Sequence, residues 1–254
     1  MTKTAIYFLL FAFLALPLRA NDERGDAAIF ETANAAYDAG DFAGALRHYN
    51  ELLKRSPGSA EAWYNAANAA FRGGQTGVAI LYYRRGWYVR PQDADIAANL
   101  QLAQQRTGAL MPSLQLVDHA AQELSHKHWK QLFTAGYSAL IASMVLIIFL
   151  PGFRRFTKPL ALTALAVAIA GFAGWFYWQQ WIRKNEAVVI AEGQTARYEP
   201  REQATRFFDV PEGSIVYVEE AFDQWQKISA GDKSGWVPST ALRQVNTWNP
   251  EDIN

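Results

Sequence analysis

From Gln131 to Gly152, and again from Pro159 to Ile182, the chain carries no charged residue. Each run is long enough to cross about 30 Å of hydrocarbon at about 1.5 Å of rise per residue. Two such runs so close together have no soluble core large enough to hide them, so the sequence predicts two membrane helices, 131–152 and 159–182. The connection 153–158 is too short to cross back, which makes the pair a hairpin with both flanks on one side. Arg154, Arg155 and Lys158, with no acidic residue among them, favour the cytoplasm for the connection. Trp129, Phe133 and Tyr137 open the first run, and Trp175, Tyr177, Trp178 and Trp181 close the second, so an aromatic belt is expected at the opposite interface. Ala166, Ala170 and Gly174 recur every four residues, a small stripe that lets a helix come close to a neighbour in lipid. That neighbour is either the first span or another membrane protein.

Residues 1–20 read as a secretory signal: Lys3 in a basic head, an apolar stretch from Ala5 to Leu18, and Leu18-Arg19-Ala20 before Asn21. An uncleaved anchor is the alternative, and in both cases the chain after about residue 21 leaves the cytoplasm. Lysine plus arginine equals aspartate plus glutamate at 24 each, so no basic field exists to hold nucleic acid. The chain has no cysteine, which removes disulfides, thiolate metal sites and a cysteine nucleophile.

Residues 26–59 and 60–93 repeat one another. Tyr37 returns as Phe71, Gly40 as Gly74, Ala45 as Ala79, Tyr49 as Tyr83 and Pro57 as Pro91, all 34 residues apart. The glycines suit turns between paired helices, the alanines let helices touch, and the prolines end each unit. This pattern, with Ala62-Trp63-Tyr64-Asn65 opening the second unit, resembles the tetratricopeptide repeat. A repeat domain is therefore expected over 21–110, closed by a helix at about 94–107 with Ile96, Ala97, Leu100 and Ala103 on one face. Residues 111–130 are expected to form an amphipathic connector or a solvated linker. The resemblance implies that first-helix faces grip an extended peptide, at positions that here hold Asn34, Tyr37, Tyr64, Asn65, Asn68 and Phe71. The basic residues that carboxylate-binding members of the family use are replaced by Phe30, Asp95 and Asn99, which argues against a C-terminal carboxylate ligand. The asparagines are open to a second role, as plain helix surface.

Beyond Ile182 the pattern becomes strand-like, with Ala187-Val188-Val189-Ile190, Ser214-Ile215-Val216-Tyr217-Val218 and Trp225-Gln226-Lys227-Ile228 divided by glycine and proline turns. Together with Ala196-Arg197-Tyr198-Glu199-Pro200 and Ser234-Gly235-Trp236-Val237-Pro238, these residues make 185–247 resemble a bacterial SH3-like domain, a small all-β barrel. Tyr198, Tyr217 and Trp225 are its candidate ligand residues, and a place in the core is the alternative for each.

The expected fold class is thus multidomain: an all-α tetratricopeptide helical repeat, a two-helix transmembrane hairpin and an all-β SH3-like small barrel. No phosphate-binding glycine loop and no Gly-x-Ser-x-Gly elbow occurs, and the four histidines have no ready carboxylate or thiolate partners, so neither enzyme chemistry, nor a metal, nor a cofactor is expected. The order of modules resembles the BatE-type proteins of the Bat (aerotolerance) group of Gram-negative bacteria. That resemblance implies an inner-membrane scaffold with both folded domains in the periplasm, working beside membrane proteins with von Willebrand A domains and a MoxR-type ATPase. Peptidoglycan binding through the SH3-like domain is the alternative.

Overall fold

The computed structural model describes residues 23–91, 93–111, 124, 126–178 and 185–246. The expected signal segment, most of the expected connector, and the close of the second span with Trp181 lie outside the described residues.

Among the described residues five helices come first: α1 (Glu23–Asp38), α2 (Phe42–Arg55), α3 (Ala60–Arg72), α4 (Thr76–Val89) and α5 (Ala94–Thr107). Short polar side chains fix three of their starts by accepting orphan N–H groups. Asp41 accepts from Gly44 N at 2.8 Å, Ser59 from Ala62 N at 3.1 Å, and Asp93 from the N–H groups of Asp95 and Ile96. Gly40 and Gly74 take φ of 80° and 83°, the left-handed turn that reverses the chain within each helix pair and that a side chain would strain. Ala45 and Ala79 are wholly buried where helices meet.

Two 24-residue helices follow, α6 (His126–Phe149) and α7 (Arg154–Tyr177), each about 36 Å long and apolar enough to cross a membrane. Both begin five residues ahead of the uncharged runs. Arg154, Arg155 and Lys158 therefore form the opening turns of α7, where 153–158 was expected to be a loop, and Leu150 with the 3-10 turn Pro151–Phe153 connects the helices. Arginine and lysine are good helix formers, so charge alone did not mark the helix end. Gly136 lies against Ala168, Gly171 against Phe133 and Gly174 against Trp129, so the two helices run antiparallel. A Cβ on Gly136 would sit 2.6 Å from Ala168 N, which leaves no room for a larger residue.

The buried line on α7 is Ala164, Ala168 and Gly171, while Ala166 and Ala170 are exposed. The expected stripe is thus displaced, because strict four-residue spacing drifts by about 40° per step on a helix of 3.6 residues per turn. Alternating steps of four and three stay on the contact line.

The last of the described residues form seven antiparallel strands: β1 (Glu186–Val189), β2 (Gln194–Arg197), β3 (Arg206–Val210), β4 (Ile215–Phe222), β5 (Trp225–Ala230), β6 (Lys233–Pro238) and β7 (Leu242–Gln244). Their order is β3-β2-β6-β5-β4-β1-β7, so the sheet is open, with β3 and β7 as edges. Its inner face buries Val189, Val210, Val216, Ile228 and Val237.

Repeat and sheet are not separate bodies. Val188, Ile215 and Val245 belong to the same buried cluster as Ile80, Tyr83 and Ile96 of the helices. At the junction Arg84 donates through Nε to Glu186 Oε1 at 2.5 Å and through Nη2 to Oε2 at 3.1 Å, and the Tyr88 hydroxyl donates to Oε2 at 2.5 Å. Glu186 is 0% exposed, so this carboxylate is held by donors in place of water. Burial pulls the Arg84 guanidinium down, and the adjacent Glu186 carboxylate more than offsets this, so its pKa ends raised. Burial, then the same carboxylate, pushes the Tyr88 hydroxyl well above its ordinary range.

Arg85 donates to the carbonyls of Gln244, the last residue of β7, at 2.9 Å and of Val245 just past it at 3.2 Å. Leu110, just past α5, pairs in both directions: its N–H donates to Ser214 Oγ at 3.0 Å and its carbonyl accepts from Ile215 N at 2.9 Å. Trp178, expected in an interfacial belt, is fully buried instead, stacked on Trp87 with centroids 6.0 Å apart and edge-on to Tyr88 at 5.4 Å. The end of the second apolar helix is thereby fastened to the repeat.

Candidate functional site

The sheet and Trp178 cover α4, and the side of the repeat lined by α1 and α3 stays open. A groove of about 180 Å³ lies there, lined by Asn34, Tyr37, Asp38, Tyr49, Asn65 and Asn68. Asn34, Tyr37 and Asp38 come from one helix, and Asn65 and Asn68 from the corresponding face of the next unit. The repeat period sets them side by side.

Each asparagine row is anchored by a tyrosine from the second helix of its unit. Tyr49 OH donates to Asn34 Oδ1 at 2.6 Å, and Tyr83 OH donates to Asn68 Oδ1 at 2.5 Å. The Asn65 side chain reaches the Tyr49 hydroxyl as well. With Oδ1 taken, the Nδ2 end of an asparagine amide is the end left to donate. Burial, then the fields of Tyr37 and Asp38, push the Tyr49 hydroxyl up to about 12, with Asn65 opposing and Glu31 adding to the rise. Burial likewise raises Tyr83. Both tyrosines stay protonated donors across the physiological range.

Of the six residues expected to bind peptide, Asn34, Tyr37, Asn65 and Asn68 line this groove. Tyr64 and Phe71 continue the surface toward α5. Tyr64 OH accepts from Asn99 Nδ2 at 2.9 Å, its ring lies 6.1 Å from Tyr83, and the Phe71 ring lies 5.1 Å beneath the Arg106 guanidinium. The sequence reading missed Asp38 and the anchoring role of Tyr49 and Tyr83. The two tyrosines stand 34 apart in the repeat comparison, and that spacing is the signal that could have found them.

The three candidates in the sheet do not form one site. Trp225 is buried at the floor of a depression of about 520 Å³ whose other lining residues include Arg197, Glu202, Arg206, Pro238 and Thr240. Tyr198 lies exposed, its ring 4.3 Å from Phe207. Tyr217 pairs with Glu186 across β4 and β1, and its field reaches Arg84 and Tyr88, which places it in the junction.

Antiparallel helix pairs at a 34-residue period, presenting an open face of amides and aromatic rings, define a helical-repeat interaction module. Residues 30–93 match the family model of the tetratricopeptide repeat, a protein–protein interaction module. No curated protein matches the chain.

Proposed function

We propose that this chain is a non-enzymatic scaffold of a bacterial inner membrane, whose repeat groove grips an extended peptide segment of a partner protein. The observation that carries this is the row of asparagine amides oriented by buried tyrosine hydroxyls, beside aromatic rings, on a face of the repeat away from the sheet. Peptide backbones are recognised by such amides, and aromatic anchors supply contact area at low entropic cost. Replacing Asn65 and Asn68 by alanine in the full chain is expected to keep the fold, at a cost of about 1 to 3 kcal/mol where the buried Tyr83 hydroxyl loses its acceptor, and to weaken co-purification of membrane partners. Equal recovery with a folded double mutant would refute it.

The two apolar helices, the positively charged opening of α7 and the apolar N-terminal run support a hairpin with repeat and sheet both periplasmic. An alkaline phosphatase fusion after Val245 is expected to be active, and an inactive fusion there would overturn this topology. The short antiparallel strands, with Gly235 and Trp236 inside β6, support reading the sheet as SH3-like. The module order supports a role in a Bat and MoxR-type assembly, with von Willebrand A proteins as partners.

A second reading, peptidoglycan binding, is favoured by the depression over Trp225, flanked by Arg197 and Arg206, which suits an acidic, polar polymer. Because the sheet shares a buried cluster with the repeat, the full chain in detergent is the material to sediment with insoluble peptidoglycan. Arg206→Glu should lower the sedimented fraction if this reading holds, and an unbound wild-type chain would refute it.

A further inference from the structure

We infer that the repeat groove selects an extended segment carrying a lysine or arginine, whose cationic head sits beside Asp38 and Glu31. This rests on the reading of the groove as a peptide site and names the chemistry of its ligand. Among the described residues, none of those lining the groove is basic, and Asp38 is one of them. An adjoining depression of about 300 Å³ is lined by Asp26, Glu31, Glu61, Phe30 and Ser59, among others, and again by no basic residue. Both depressions use residues of α1, which carries Glu31 and Asp38, and both carboxylates act on the Tyr49 hydroxyl.

Not every carboxylate there is available. Asp26 is engaged by Arg55 at 3.2 Å and by the Ser56 hydroxyl at 2.5 Å. Asp38, Glu31 and Glu61 have no ion-pair partner among the described residues, and all three are exposed. The groove thus offers neutral donors for a peptide backbone and, along its α1 wall on both sides of Asn34, negative charge with no internal counter-ion among the described residues. A ligand carboxylate would be repelled there. A cationic side chain gains attraction at little desolvation cost, because the acidic groups remain wet, and steering by their field speeds its arrival.

The test is selection of a randomised dodecapeptide display library on the full chain in detergent, with the enriched peptides then measured by fluorescence polarisation. Enriched peptides are expected to carry lysine or arginine. Their affinity should fall roughly two- to fivefold with Asp38→Asn or Glu31→Gln, each an exposed position whose neutral variant keeps the fold. It should also weaken between about 50 and about 500 mM salt. Asp38→Lys should shift a repeated selection away from basic peptides.

Enriched peptides that lose affinity with Asn65→Ala and Asn68→Ala, yet are neutral or acidic and indifferent to Asp38→Asn, would overturn the charge inference and leave the groove reading standing. Peptides indifferent to the asparagine variants, or no enrichment at all, would overturn both.

Discussion

The two sides of the repeat solve the same problem with different chemistry. On the covered side, α4 meets the sheet through a full negative charge, Glu186, held by Arg84 and Tyr88 with no exposure to water. On the open side, tyrosine hydroxyls hold neutral asparagine amides at the edge of a groove. A buried charge is tolerated only where its donors are complete and permanent, because leaving it partnerless is expensive. A neutral amide can be satisfied by water when nothing is bound and by a peptide when something is. The covered side is therefore built to stay closed, and the open side to exchange partners.

The largest effect that sharpens this contrast is expected from Glu186→Ala. It leaves the Arg84 guanidinium buried without its counter-charge, which typically costs about 3 to 5 kcal/mol. Thermal melting of the full chain in detergent, followed by circular dichroism, should show a large drop, and Arg84→Met combined with Glu186→Leu should recover much of it. A melting curve unmoved by the single change would mean that the junction is looser than its geometry.

Alkaline pH comes next. Burial pushes the Tyr49 and Tyr82 hydroxyls up to about 12, and both are 1% exposed, donating to Asn34 and Asn50. A folded-state pKa above the unfolded value near 10 favours folding fully below about pH 10, and that contribution is lost as pH rises toward 12. For Tyr82 this is worth roughly 2 to 3 kcal/mol by linkage, and for Tyr49, whose hydroxyl opens onto the groove, solvent screening makes it smaller. Helical signal should fall in this window, and the tyrosinate absorbance that is lost in a Tyr49→Phe, Tyr82→Phe variant should belong to the late part of the rise; if that lost absorbance belongs to the early part, near pH 10 with helices intact, the burial argument is contradicted.

Ala79→Trp tests the repeat itself. Ala79 is wholly buried where helices touch, and overpacking costs about 1 to 3 kcal/mol or more. Unchanged melting would count against close helix approach at that position.

The repeat was legible because its physics is periodic. Gly40 and Gly74 need a left-handed turn, Ala45 and Ala79 need to be small, and the same requirement returns every 34 residues. Asn34 and Asn68 stand in the same 34-residue relation, whereas Asn65, whose counterpart is Glu31, stands out only through the family resemblance. The junction was not legible, since Arg84 and Glu186 are 102 residues apart and each looks, in its own neighbourhood, like surface. Arg84-Arg85 on a helix reads as a solvated face, and Glu186 follows Lys184 at the head of a strand. No local rule announces that two charged residues will be buried together. Trp178 misled in another way: an aromatic residue at the end of an apolar helix suits an interfacial belt, and only the fold brings Trp87 and Tyr88 beside it.

The smallest expected effect falls on the open side and divides stability from function there. Tyr49→Phe removes one hydroxyl and keeps the ring, which packs edge-on to Phe30 with centroids 6.0 Å apart. The loss to stability should be only about 0.5 to 1.5 kcal/mol, because Asn34 sits at the groove edge and water can take the place of the missing donor. The Asn34 amide, however, loses the group that fixes which of its ends faces outward, and Asn65 loses its contact with the same oxygen. Peptide affinity should therefore fall by more than the melting change implies, since a ligand must then select one amide orientation from two. Measuring both quantities on the same preparation decides the matter. If affinity and melting fall together by the same free energy, the tyrosine supports the fold alone; if melting barely moves while affinity drops, the hydroxyl orients the groove for binding.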